Sequence, residues 1–107
     1  MIAGWIADKR GRDTLALDLR NLSVVTDYFV LTTGGSAAQL RAIADHLEEK
    51  TPALGLRLLR VEGRASARWI LMDYGDIVFH IMLEEERSFY SLERLWGDAD
   101  VIGGGRQ

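Results

Sequence analysis

Apolar residues along this chain recur with two periods, one typical of strands and one typical of helices. In residues 14–19, leucines alternate with Ala16 and Asp18, which predicts a strand with one buried face. Residues 28–33 are almost continuously apolar or β-branched, as expected of a strand that is covered on both faces. Three more strands are predicted over residues 56–62, 68–74 and 76–83. The short Tyr74-Gly75 connection makes the last two an antiparallel hairpin.

A helix is predicted to begin after Ser36, where the apolar period changes from strand to helix. Ser36 can cap this helix, and Gln39 stands three residues later, as in a capping box. Pro52 and Gly55 are expected to end it. One face of the helix is apolar, with Leu40, Ile43, Ala44 and Leu47 at helical spacing.

Two further helices flank this central part. A short one is predicted over residues 2–10 and a longer one over residues 84–96, where glutamates begin the helix and Gly97 stops it. Strands alternating with helices indicate an α/β fold, a single domain with a mixed sheet of about five strands flanked by helices. We expect the domain to span residues 1–102 and the glycine-rich residues 103–107 to form a flexible tail.

Composition narrows the functions that this fold can carry. The 107 residues include no cysteine, which excludes disulfides, thiolate zinc sites and cysteine nucleophiles. Acidic residues outnumber basic ones by 16 to 13, so extensive binding of nucleic acid is disfavoured. The apolar start is interrupted at Asp8 and resembles neither a signal peptide nor a membrane span, so we expect a cytoplasmic protein without membrane contact.

A local excess of arginine is the exception to this acidic balance. It lies around the third strand, where only Glu62 opposes it. Two interpretations remain open, a solvated strand and loop or a small basic patch beside nucleic acid or an acidic partner. The residues are Arg57, Arg60, Arg64 and Arg68.

The Gly34-Gly35-Ser36 junction resembles a phosphate-binding loop, because unpaired N–H groups at a helix start attract anions. However, neither GxxxxGK[ST] nor GxGxxG is present. Nucleotidyl transfer also needs paired carboxylates on a strand to hold Mg²⁺, and the chain's only Asp-x-Asp, residues 98–100, follows the last helix. We therefore interpret the junction as a turn and cap, and predict no catalytic residue, metal site or cofactor.

The remaining polar candidates have structural interpretations. Asp73 and Asp76 flank the hairpin turn, where aspartate commonly bonds to the turn backbone. His80 lies on the strand face of Val78 and Met82, and a lone histidine among apolar residues is usually a packing residue. His46 lies on the central helix beside glutamates and is interpreted in the same way.

The aromatic residues of the hairpin suggest a surface for a partner. Trp69 and Tyr74 bracket one short strand, and Tyr74 is expected at an exposed turn. Exposed Trp and Tyr frequently anchor protein interfaces. Packing of Trp69 beneath a helix is the equally weighted alternative.

Several motifs in order extend this interpretation. They read DYFV at 27–30, QLRAIAD at 39–45, WILMDYGD at 69–76 and EERSFYSLERLWGDA at 85–99, with Gly34 and Ser36 between the first two. Together they resemble the ribosomal silencing factor (Iojap) family over residues 6–100. The segment before Asp8 is shorter than the first helix expected of that family, and residues 80–84 differ in detail from its commoner forms.

The resemblance implies a nucleotidyltransferase-like fold without catalytic carboxylates and without enzymatic activity. It further implies a translational repressor that binds the large ribosomal subunit, chiefly ribosomal protein L-fourteen with at most a minor rRNA contact, and blocks joining of the small subunit. A nucleotide-binding enzyme and a homo-oligomeric module, such as a homodimer formed off the ribosome, remain the alternatives. The partner-binding residues that the resemblance implies are Trp69, Leu71, Asp73, Tyr74 and Asp76, with Arg87, Tyr90 and Arg94 on the opposite side.

Overall fold

The computed structural model of the chain describes residues 1–21, 26–90 and 100–104, with the backbone alone at 88–90 and 100–104. Its helices and strands follow one another in the order α1 (Ile2–Asp8), β1 (Arg12–Asp18), β2 (Tyr28–Gly34), α2 (Ala37–Lys50), a 3-10 turn (Thr51–Leu54), β3 (Arg60–Glu62), β4 (Trp69–Asp73), β5 (Ile77–Leu83), α3 (Glu84–Tyr90) and β6 (Asp100–Gly104).

All of these strands belong to one mixed sheet in the order β3-β4-β5-β2-β1-β6. The central pair, β2 with β5, is parallel, and the other neighbours are antiparallel. The predicted α/β fold class and the β4–β5 hairpin are thus confirmed. The sheet has one strand more than expected, because β6 pairs with β1. This strand extends past residue 102, the predicted end of the domain, since Gly103 and Gly104 pair with Ala16 and Leu15. Residues 105–107 lie outside the described ranges.

The central strands of the sheet, β2 and β5, are buried on both faces. One face packs against α1 and α2 and forms the larger cluster, which includes Leu40, Ile43 and Leu47 of α2 together with Ile70 and Phe79 of the sheet. The opposite face carries a second cluster of Leu15, Leu17, Leu19, Leu31 and Met82. As predicted, β2 is covered on both sides, since its consecutive residues 30–34 are all buried.

The start of α2 follows the predicted cap. The Gln39 backbone N–H donates to the Ser36 hydroxyl at 3.1 Å, and the Gln39 side chain accepts from the Gly35 N–H at 2.7 Å. At Gly34 any side chain would collide with the helix, because a Cβ there would lie 2.6 Å from Leu40 Cδ1. The glycine therefore serves close packing of helix on strand. The helix ends at Lys50, and Gly55 follows with φ of 78°.

The third predicted strand is much shorter than residues 56–62 suggest. Only Arg60–Glu62 pairs with β4, whereas Leu56 and Leu58 pack against the larger core cluster and Leu59 is 61% exposed. The leucines here do not alternate strictly, so they cannot all share one face of a strand. The last predicted helix is described over Glu84–Tyr90, and its remainder lies outside the described ranges.

Candidate interaction surface

Strand β4 divides its side chains between the core and a partly exposed face. Ile70 and Met72 are fully buried under α2. Trp69, Leu71 and Asp73 point to the other face and remain partly exposed, because side chains of a strand alternate. The structure thus brings together three of the residues predicted to bind a partner. We call these three residues the β4 face.

A buried histidine lies beneath this face. The hairpin pairs Leu71 with His80 and Trp69 with Met82. The indole Nε1–H of Trp69 donates to His80 Nδ1 at 3.0 Å, and the edge of Phe29 meets the imidazole ring at a centroid distance of 4.6 Å. Trp69 also packs against the second core cluster. Trp69 is therefore partly exposed, as a partner-binding residue requires, and its packing is against the second core cluster on the face opposite α2.

A shallow groove of about 310 Å³ runs along the β4 face at the edge of the sheet. It is lined by Glu62, Gly63, Trp69 and Leu71. Gly63 has φ of 81°, and a Cβ at this position would collide with the carbonyl oxygen of Trp69. Only glycine fits this close crossing of backbones.

The loop that closes the groove is fastened to α2. The Arg41 guanidinium donates to the Arg64 carbonyl at 3.1 Å and to the Ala65 carbonyl at 2.6 Å. Arg64 in turn forms an ion pair with Asp45. Contacts from two α2 side chains therefore hold this rim in place, so the groove is preformed.

The two hairpin aspartates have different roles. Asp73 Oδ1 accepts the Gly75 N–H at 2.8 Å, which confirms the turn interpretation, and Asp73 Oδ2 lies 3.6 Å from the Arg60 guanidinium. Asp76 is exposed, while its backbone carbonyl accepts N–H groups of Asp27 and Tyr28, each at 3.0 Å. Asp76 thus joins the hairpin to β2 through its backbone, while the residue itself is exposed at the hairpin end.

Tyr74 is not at an exposed turn tip, and that expectation is wrong. The residue is 7% exposed, its hydroxyl lies 2.9 Å from the Thr51 hydroxyl, and its ring meets Phe79 edge-on at 5.5 Å. Burial raises the pKa of Tyr74. The strand alternation that exposes Trp69 turns Tyr74 toward the α2 side, so this side chain supports the hairpin from within.

The predicted contacts on the opposite side receive little support. Arg87 is 7% exposed, and its guanidinium donates to the Asp13 carbonyl and, at 3.0 Å, to the Thr33 hydroxyl. These bonds fasten α3 to an irregularity of β1, where Asp13 has φ of 52°. A guanidinium that is buried in this way is poorly placed to contact a partner at the surface. The side chain of Tyr90 and the whole of Arg94 lie outside the described residues.

Several groups at the Gly34-Gly35-Ser36 junction already bond to one another. The N–H groups of Gly35, Gln39 and Leu40 bond to Gln39 Oε1, Ser36 Oγ and the Ser36 carbonyl. The Gln39 amide also donates to the carbonyls of Lys9 and Arg10, at 3.2 and 2.8 Å. A phosphate would have to displace this network, which supports the interpretation of a turn and cap.

Three of the four arginines in the local excess pair with carboxylates. Arg60 Nε lies 2.9 Å from Glu62, Arg64 pairs with Asp45, and Arg68 Nε bonds to Glu86 at 3.0 Å. The hydrogen bond to Glu86 raises the pKa of Arg68. This pairing favours the solvated strand and loop over a basic patch.

The remaining histidine of the described residues lies away from the β4 face. His46 lies 3.4 Å from Asp8 on the α1 side. Within the part of the chain that is described, no three His, Asp or Glu side chains cluster as metal ligands. In the same residues no helix has the length and hydrophobicity needed to cross a membrane.

Two features of this surface were missed by sequence reasoning. The sequence pattern predicts only a packing role for His80, and it gives Gly63 and Glu62 no place at a groove. The hairpin register would have found the first, because pairing Asp73 with Val78 places Leu71 opposite His80. No signal in the sequence revealed the crossing of Gly63 over Trp69.

Comparison with known proteins identifies relatives over almost the whole chain. The family model RsfS, "Ribosomal silencing factor during starvation", matches residues 1–106. Ribosomal silencing factor RsfS of Bacillus subtilis (strain 168) is 46% identical over 94 residues, which cover 88% of this chain and 80% of the relative.

More distant relatives also match this chain over most of its length. The mouse protein named "Mitochondrial assembly of ribosomal large subunit protein 1" is 31% identical over 99 residues, or 90% of this chain and 43% of the relative. The crystal structure of a Chromobacterium violaceum protein superimposes with a TM-score of 0.86 at 31% identity, covering 100% of this chain and 83% of the other.

Proposed function

The chain belongs to the ribosomal silencing factor family, and from this premise we propose that it binds the large ribosomal subunit and sterically blocks joining of the small subunit. Its chief contact would be ribosomal protein L-fourteen. The names of the relatives support a role at the ribosome, in silencing for the bacterial protein and in large-subunit assembly for the mouse protein. Such a repressor needs no catalytic step, only binding that competes with subunit joining in the cytoplasm.

The β4 face is the observation that carries this proposal. Trp69 and Leu71 offer an aromatic and an aliphatic side chain beside a preformed groove. Interfaces are typically dominated by a few such anchors, and Trp is among the most effective. Because β4 is paired on both sides, by β3 and β5, its backbone is rigid. The backbone of β4 would therefore lose little conformational freedom on binding.

Charge around the β4 face favours a basic protein over RNA. Glu62 lies at the groove, while Asp73 and Asp76 lie at the hairpin end. Arg60 offsets part of this charge through its contacts with Glu62 and Asp73. The chain as a whole has net charge −3. A carboxylate rim would repel phosphates and attract lysine or arginine, so any rRNA contact would be minor.

The β4 face would be the centre of a larger contact. A stable specific interface buries on the order of 800 Å² on each partner, more than three side chains provide. Neighbouring exposed residues such as Glu62 and Asp76 would then form its rim. Rim charges mainly affect association rate, whereas the central anchors determine affinity.

The direct test is replacement of the central anchor. Trp69→Ala should weaken cosedimentation with purified large subunits by roughly tenfold or more, since a hot-spot side chain is worth about 2 kcal/mol. Trp5→Ala is the matched control, because Trp5 packs against the core on the α1 side. Urea unfolding should establish that both variants are folded. Undiminished binding by folded Trp69→Ala would overturn the assigned surface.

A second assay addresses the steric step. Large subunits preincubated with the protein and then mixed with small subunits should form fewer joined ribosomes, as seen in sucrose gradients. The Trp69→Ala variant should restore joining. If the parent protein binds large subunits yet leaves joining unchanged, the steric mechanism is wrong although the binding partner is right.

The same gradients and simple binding assays discriminate the alternatives. A homodimer through the β4 face would be recognised if Trp69→Ala changed the sedimentation of the isolated protein from dimer to monomer. A nucleotide-binding enzyme would show saturable, Mg²⁺-dependent nucleotide binding that is lost in Gly35 or Ser36 variants. The engaged N–H groups at that junction make us expect none.

A further inference from the structure

The contact between Trp69 and His80 is partly buried and joins a surface side chain to a buried one. His80 is 5% exposed, whereas Trp69 is partly exposed. The Nε1 to Nδ1 distance of 3.0 Å and the ring separation of 5.7 Å place the indole beside the imidazole, and Phe29 supports the imidazole at 4.6 Å. The indole is therefore held through its only polar atom as well as by packing.

This geometry also determines the protonation of the imidazole. An indole N–H can only donate, so Nδ1 of His80 must accept and the ring proton must lie on Nε2. Nε2 is buried and makes no hydrogen bond among the described residues. Burial lowers the pKa of His80 to about 4, which keeps the ring neutral near pH 7. A protonated ring would present an N–H to the indole N–H and break the bond.

We propose that His80 is a positioning residue of the partner-binding surface, whose Nδ1 fixes the Trp69 indole in the orientation that the partner meets. This inference rests on the proposed function, because it takes Trp69 as the anchor. Without the acceptor, the indole would sample other rotamers and expose or bury its N–H differently. Ordering a long side chain on binding lowers affinity by roughly twofold to tenfold.

The parent protein provides the first test, without any substitution. Histidine labelled with ¹⁵N should show His80 as the neutral tautomer with hydrogen on Nε2 and an accepting Nδ1, unchanged from pH 8 to 6. His80→Asn identifies its signals against those of His46. Hydrogen on Nδ1, or a protonated ring near pH 7, would overturn the proposal at once.

Two substitutions then separate positioning from packing. His80→Leu keeps an apolar side chain but removes the acceptor, whereas in His80→Asn the Oδ1 atom lies where Nδ1 was. In ¹⁵N-tryptophan spectra, with the Trp69 signal assigned by Trp69→Phe, the Leu variant should shift or broaden the Trp69 indole N–H. The Asn variant should preserve it.

Binding to large subunits should follow the indole signal. We expect His80→Leu to bind roughly twofold to tenfold more weakly and His80→Asn to bind nearly as the parent does. If the two variants bind equally, or if His80→Leu leaves the indole signal unchanged, the positioning role is wrong. If Trp69→Ala itself keeps full binding, the proposed surface has failed, and the indole spectra still decide whether His80 fixes Trp69.

Discussion

Replacement of Tyr74 tests whether the hairpin is supported from the core. The Tyr74 hydroxyl bonds to Thr51, which is 1% exposed, so Tyr74→Phe removes a buried hydrogen bond and leaves the Thr51 hydroxyl without its partner. Such a loss costs roughly 1–3 kcal/mol of unfolding free energy. The ring of the new Phe can keep its contact with Phe79. Binding to large subunits should therefore stay unchanged while stability falls.

Tyr74→Ala should be far more damaging. It also removes the ring from the cluster beneath α2, and large-to-small changes of buried aromatic residues cost about 3–5 kcal/mol. Domains of this size have only about 5–15 kcal/mol of stability in total. We expect this variant to be partly unfolded at 37 °C.

The measurement is urea unfolding followed by circular dichroism, extrapolated linearly to water. Tyr28→Phe is the matched control, because the Tyr28 hydroxyl makes no hydrogen bond in the described part of the chain, and less than about 0.5 kcal/mol should be lost. Tyr74→Phe with parental stability but weakened binding would show that the side chain belongs to the partner surface, contrary to the argument from burial.

Three further outcomes follow from the described contacts. Burial lowers the pKa of His80 from 6.5 to about 4, so as pH falls this histidine binds a proton in the unfolded chain before it does in the folded protein. The free energy of unfolding should therefore drop by up to about 3 kcal/mol between pH 6.5 and pH 4. In urea unfolding, the His80→Asn variant should show a smaller drop over the same pH range. Equal drops in the two proteins would contradict a lowered pKa of His80. Gln39→Ala should lower the free energy of unfolding by about 1–2 kcal/mol and speed amide hydrogen exchange in α1, because the Gln39 side-chain amide donates to two carbonyls at the end of that helix. Unaltered exchange in α1 would show that Gln39 does not stabilise this helix. Gly63→Ala should lower the free energy of unfolding, measured by thermal unfolding, by about 1–3 kcal/mol or more. Gly4→Ala is the control, because Gly4 has open space around it, and its stability should be unchanged or higher.

Elements governed by local chemistry were predictable from the sequence. Ser36 and Gln39 cap α2 through atoms three residues apart, and the Tyr74-Gly75 turn joins adjacent strands. The partly exposed Trp69, Leu71 and Asp73 also follow from strand alternation. That alternation, applied one residue further, would have placed Tyr74 with Ile70 and Met72 in the core, although turns are usually exposed.

Contacts between distant segments were not predictable in the same way. Arg87 is buried because a carbonyl at an irregularity of β1 and a hydroxyl on β2 accept its hydrogen bonds. Neither acceptor has a local signature near Arg87. The shortening of β3 likewise depends on how Leu56 and Leu58 meet the core. Such features require the assembled fold.

The parallel pairing of β2 with β5 sets the order in which this chain can fold. Tyr28 pairs with Ile77 and Gly34 with Leu83, so the middle of the sheet joins segments separated by α2, β3 and β4. Closing so long a loop costs entropy before any contact offsets it, and non-local pairing slows folding. A growing chain that ends before Ile77 leaves Val30 and Leu31 paired with β1 but without β5, the second of their two neighbouring strands. The domain can therefore complete its fold only after β5 has been synthesised, and incomplete chains expose apolar strand surface to proteases.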